Sequence, residues 1–243
     1  MSKSESEDTG SSWLSNAVFA FTCMGGLVIF WPGLIAPFSF FEFWRIKGDF
    51  FETVWSAWPL YLWGFGVTLY FLLAGRISPS SGTFGEKFVD GTVQSALAGV
   101  LEEIAFRWLL FFAAFVSLPI FNWILGGFMG FDLIRWLYVD ILCPIANFFT
   151  LGYLDSYLNQ ESAWVVGAAM ISTNGQFRNG HAYQGPFGFV NSWFGGMYLH
   201  WIVFNYGLLP AIAIHFFYNF TICTLVAIMT GSSDRPDYSR RWR

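Results

Sequence analysis

LAGVLEEIAFRWLLFFAAFV, residues 97–116, is apolar enough to cross a bilayer, yet it carries Glu102, Glu103 and Arg107. A spanning helix needs about 20 predominantly apolar residues. The pattern from about Thr92 to Phe115 meets that need, with Pro119 expected to end it. One charge at a helix centre costs roughly 2.5–3.5 kcal/mol on insertion scales, so three facing lipid would cost about 8–10 kcal/mol. They are therefore expected to face protein or a wet cavity. At about 100° per residue, Glu103 and Arg107 lie about 40° apart and can pair, whereas Glu102 is about 140° from Arg107. Glu102 is thus left to meet a different group.

Composition agrees with a membrane chain. Of 243 residues 55% are hydrophobic and 22% aromatic, only 12% are charged, and the formal net charge is -4. A soluble domain carries about a quarter charged residues. Disorder, a basic nucleic-acid-binding face and a solvated soluble enzyme are all excluded. Cys23, Cys143 and Cys223 all sit in apolar runs without a CxxC pair, so neither a disulfide framework nor a thiolate zinc site is indicated.

Working outward, the expected architecture is an all-α, polytopic transmembrane helix bundle with six to eight crossings. Residues 1–12 read as an acidic disordered tail without signal-peptide features, 13–230 as one transmembrane domain and 231–243 as a basic tail. Expected spans cover about 13–31, 55–75, 92–115, 187–205 and 208–230, with a further apolar run from Ala163. Residues 33–54 suit an interfacial segment, and 77–90 read as a loop. Residues 123–151 could cross, with Asp132 and Arg135 marking an interface or an internal pair. Gly126 and Gly130 form a GxxxG, which usually signals close helix packing, and Gly195–Gly196 is a further small-residue site. Four arginines in the C-terminal tail favour a cytoplasmic C-terminus.

Two further polar constellations interrupt apolar sequence. His215 and Asn219, in AIHFFYNF, are spaced i, i+4 and point the same way from one helix, and Phe177 to His181 close the polar end of the run from Ala163. In order, EExxxR at 102–107, FxxxH at 177–181 and HxxxN at 215–219 resemble the three motifs of the CPBP intramembrane proteases, the CAAX prenyl proteases and bacteriocin-processing enzymes. The resemblance covers about residues 90–230. The chain differs at Trp108, where the family usually has Gly, at Arg178 inside the second motif, and in extra length over 123–160.

What the resemblance implies is peptide-bond hydrolysis inside the membrane. Glu102 would be the general base, His181 would help position water, His215 and Asn219 would donate to the oxyanion, and Glu103 with Arg107 would brace them. His200, the rival for the second histidine, has Gly196 rather than Phe four residues earlier and reads as a packed or interfacial histidine. No cofactor is expected. Zn²⁺ is the less favoured alternative, because adjacent Glu102 and Glu103 diverge by about 100° and only one is expected to join a site. Expected partners are membrane lipids and a peptide or protein substrate arriving through the bilayer, with no nucleic acid. The competing reading is a non-catalytic membrane scaffold or immunity-type subunit of the same fold.

Overall fold

The computed structural model describes residues 38–75, 83–158 and 164–230, with isolated positions before residue 38. Both tails, the first expected span (almost entirely) and the start of the 77–90 loop lie outside the described residues. Within them the chain is helical, and no strand occurs. The helices are α1 (Phe50–Ser56), α2 (Trp58–Leu73), α3 (Phe84–Glu102), a π-helical turn (Glu103–Leu109) and α4 (Leu110–Ile124). There follow α5 (Leu133–Trp136), a second π-helical turn (Leu137–Leu142), α6 (Cys143–Phe149), α7 (Asp155–Leu158), α8 (Trp164–Gly180), α9 (Gly185–Tyr206) and α10 (Leu208–Thr230).

Among the described residues three helical stretches are long and apolar enough to cross a membrane: Phe50–Leu73, Phe84–Ile124 and Leu208–Met229. With its apolar composition, that makes the chain an integral membrane protein. Six to eight crossings exceed what these residues supply. Residues 123–151 break into a 3₁₀ turn and short helices. At 17 residues, α8 is a short helix for a crossing.

Helix ends follow local chemistry. The expected 77–90 loop gives way to helix at Phe84, because Thr83 and Glu86 form a reciprocal capping box. Asp49 caps α1 through the amides of Phe51 and Glu52. Pro119 does not end its helix, which continues to Ile124. Proline removes one backbone bond, and here the loss falls close to the helix terminus.

Gly126 and Gly130 correct another expectation. Their φ angles of 126° and 86° put them in a tight turn around residues 127–129, not on a helix-packing face. Asn122 ties that turn, donating to Asp132 Oδ1 (2.9 Å) and accepting from the amides of Ile134 and Arg135. Asp132 therefore pairs with Asn122 and not with Arg135.

The small-residue face lies on α3 instead. Gly91, Ser95 and Gly99 are its buried residues, and they meet α10 along its length. A Cβ on Gly99 would stand 3.0 Å from Ile212 O and 3.1 Å from Phe216 N, so the two backbones touch. That contact brings the end of α3 beside His215. The turn from α9 into α10 rests on Gly207, with φ of 104° and the Arg45 carbonyl directly over it. Lys47 N also donates to Tyr206 O (2.9 Å), fixing the interfacial segment against the same corner.

Candidate active site

Glu103 opens the first π turn, in which the Leu110 amide reaches Ala105 O, five residues back. Such single turns widen a helix by one residue and concentrate at functional sites. Glu103 and Arg107 are both fully buried, with Oε1 3.3 Å from Nη1. Glu103 Oε1 is also 2.7 Å from His215 Nδ1. Glu102, one residue earlier and half-buried, turns its Oε2 to 3.8 Å from His215 Nε2 and its Oε1 to 3.9 Å from His181 Nε2. Both carboxylates were expected at the site, Glu103 as a brace, and both meet the same imidazole. The two diverge, but the imidazole of His215 sits between them and offers a nitrogen to each.

His181, the residue that follows α8, closes the cluster. Its Nδ1 lies 2.8 Å from the Phe177 carbonyl, which can only accept, so Nδ1 carries the proton and Nε2 faces Glu102 as an acceptor in the neutral ring. Phe177 also has a role that spacing alone does not reveal. The Arg107 guanidinium lies 4.0 Å over its ring, and the same ring is 4.6 Å from His181 and 6.2 Å from His215. The aromatic residue is the platform on which all three motifs meet.

The structure therefore brings together Glu102, Glu103, Arg107, His181 and His215. Asn219 is half-buried one turn beyond His215, and among the described residues no hydrogen bond joins it to that cluster. His200 is packed away, 99% buried, with Nδ1 3.0 Å from Gly196 O and Nε2 3.2 Å from Thr173 Oγ1. Arg178 turns out of the site: its guanidinium stacks 4.2 Å over Phe189 and donates to Asn179 Oδ1. Trp108 is buried as an anchor, its indole donating to Phe40 O (2.6 Å) and packing on the rings of Phe40 and Trp44. A glycine there would leave the 38–44 segment without its support.

Sequence reasoning missed Asn174 and Gly196 as parts of this site. Asn174 is fully buried and bonded through Nδ2 to Trp193 O (2.9 Å). Its signal was available: Asn174, Phe177 and His181 recur at i, i+3 and i+7, the spacing of one helix face. Gly196 is where α9 makes room, since a Cβ there would meet Asn174 Oδ1 at 2.0 Å, Phe177 Cδ1 at 2.8 Å and Arg107 Nη2 at 2.9 Å.

Neither a curated protein nor a solved structure matches the chain. A family does: type II CAAX prenyl endopeptidase, Rce1-like, matches residues 84–221. That match runs from the first residue of α3 to just past Asn219 and takes in all three motifs. Because it spans more than half of the chain, the protein belongs to the Rce1-like family of type II CAAX prenyl endopeptidases.

Proposed function

We propose that the protein hydrolyses a peptide bond near the C-terminus of a prenylated substrate reaching it through the bilayer, using water activated by Glu102. One observation carries the reading: the Glu102 carboxylate faces Nε2 of both histidines, at 3.9 and 3.8 Å. Those separations exceed direct hydrogen-bond reach and suit a bridging water. Such a water gives one hydrogen to Glu102 and the other to His181 Nε2, leaving an oxygen lone pair for the substrate carbonyl carbon. Glu102 takes the proton as the C–O bond forms. The Asn219 carboxamide donates to the resulting oxyanion, and His215, its Nδ1–H given to Glu103, donates through Nε2–H there as the imidazolium. Collapse of the tetrahedral intermediate breaks the C–N bond, and the departing amine takes its proton from Glu102. Glu103, held by Arg107, keeps His215 Nδ1 occupied and its ring oriented, so that Nε2 points to the reacting carbonyl.

The half-burial of Glu102 and His181 supports access from one side, while fully buried Glu103 and Arg107 close the other. Arg178 is stacked on Phe189 and, among the described residues, forms no ion pair with Glu102. An apolar groove of about 430 Å³ between α2 and α10, lined by Trp58, Tyr61, Phe65, Tyr218, Ile222 and Leu225, offers an isoprenoid chain a surface. Tyr218 places one end of it on the turn of α10 that follows His215.

The test is release of the C-terminal fragment from a farnesylated peptide by the protein in nanodiscs. Glu102→Gln is expected to lower kcat by roughly 10²–10⁴-fold, the range of a lost general base. Activity is expected to survive exhaustive chelation. Retained kcat in Glu102→Gln would overturn the assignment, as would a chelation loss that only zinc restores.

A further inference from the structure

Arg107 is held at one end only. Its Nη1 meets Glu103 Oε1 at 3.3 Å, and the Phe177 ring lies beneath its plane. Nε, Nη1 and Nη2 are sealed from solvent and make no hydrogen bond among the described residues. A guanidinium presents five donors in a fixed fork, and burying them unmatched is costly. In the same dry region a single amide oxygen has the opposite deficit. Asn174 Oδ1 is sealed and among the described residues accepts nothing, while its Nδ2 is fixed to Trp193 O at 2.9 Å. The donor fork and the orphan acceptor flank one point. It is the position a Cβ of Gly196 would take, 2.0 Å from Asn174 Oδ1 and 2.9 Å from Arg107 Nη2.

We propose that Asn174 is a positioning residue whose Oδ1 draws the Arg107 guanidinium toward the Gly196 notch and so holds it opposite Glu103. The inference rests on the hydrolytic reading above and deepens it. Glu103 uses one oxygen, Oε1, for both Arg107 and His215 Nδ1. Where the guanidinium sits therefore sets where that oxygen sits, and the oxygen sets the angle of the imidazole. With Asn174 in place, Arg107 is drawn from two sides. Without it, Arg107 is free to slide toward Glu103 and drag the carboxylate from His215. Asn174 touches no reacting atom in this scheme; it acts through three side chains in series.

Two substitutions separate the acceptor from the shape. Asn174→Leu fills similar space without an acceptor, and Asn174→Asp keeps an oxygen at the same place. The Leu variant is expected to lose roughly tenfold or more in kcat with KM within about twofold, the pattern of a misplaced group rather than lost binding. The Asp variant is expected to stay within about threefold of the parent. In an Arg107→Lys background the Leu change should cost little more, because coupled residues are non-additive. The chain has three histidines, so ¹⁵N-histidine labelling gives a readout independent of turnover. The His215 ring signals should move in Asn174→Leu while those of His181 stay. Equal kcat losses in the Leu and Asp variants, or an unmoved His215 signal, would overturn the proposal. Should the parent protein cleave no prenylated peptide, the hydrolytic reading fails, and the histidine spectrum still decides the Asn174 linkage.

Discussion

Gly196 and Gly195 are neighbours on α9 with opposite surroundings, and one added methyl group distinguishes them. On Gly195 a Cβ would find only Leu60 Cδ1, at 3.7 Å, an ordinary contact. On Gly196 it would stand 2.0 Å from Asn174 Oδ1, 2.8 Å from Phe177 Cδ1 and 2.9 Å from Arg107 Nη2, all closer than carbon tolerates. None of these three can yield cheaply. Asn174 is tied to Trp193 O, Arg107 is ion-paired, and the Phe177 ring is clamped between Arg107 and His181. Overpacking a dense interior typically costs about 1–3 kcal/mol. Alanine in place of a mid-helix glycine offsets that by roughly 0.5–1 kcal/mol. Gly195→Ala should therefore be neutral to slightly stabilising, and Gly196→Ala should destabilise by up to about 2.5 kcal/mol net. Its effect on turnover should be larger, because displacing a catalytic constellation by about 1 Å can cost 10²-fold. Thermal unfolding in detergent and kcat on a farnesylated peptide read the two quantities separately. If Gly196→Ala unfolds and turns over like Gly195→Ala, the close approach is not real and the packing of α9 on Arg107 is misread.

Three other outcomes follow from the same contacts. Glu103→Gln should destabilise by about 3–5 kcal/mol, because it leaves Arg107 as an uncompensated buried charge; a melting temperature within a degree of the parent would count against it. Trp108→Phe removes the donor to the buried Phe40 carbonyl and should cost about 1–3 kcal/mol in unfolding experiments. Turnover per folded molecule should hardly change, since the indole faces residues 40 and 44, away from Glu102. Ile222→Trp, which fills the groove between α2 and α10, should raise KM for a prenylated peptide several-fold at nearly constant kcat, and an unchanged KM would place the isoprenoid elsewhere.

The three motifs were legible because carboxylates, imidazoles and a guanidinium are expensive in apolar runs and therefore conspicuous. Spacing also predicted the Glu103–Arg107 pair, since i, i+4 neighbours stay adjacent even where the helix widens. What could not be read was the widening itself. Glu102 and Glu103 diverge as helix geometry predicts, and that an imidazole of α10 would lie between them depends on packing between distant parts of the chain. The glycines went wrong for a related reason: Gly126-x-x-x-Gly130 has the helix-packing pattern, yet its φ angles belong to a turn. Gly91, Ser95 and Gly99 do the packing, at the same interval of four but with serine in the middle. Asn174 was visible only as one of several polar residues following an apolar run. Its importance depends on α9 bringing a glycine to it from a distant part of the sequence.

The widened turn at Glu103–Leu109 also fixes the length of this helix to the residue. Removing a single amino acid there would let regular winding close the surplus, so α4 would keep its facing while the residues inside the turn, Arg107 among them, would shift by one position relative to Glu103. Insertions and deletions in this stretch should therefore be excluded even though it looks, residue by residue, like any oily helix. Two adjacent acids face opposite edges of one imidazole at the mouth of that surplus turn.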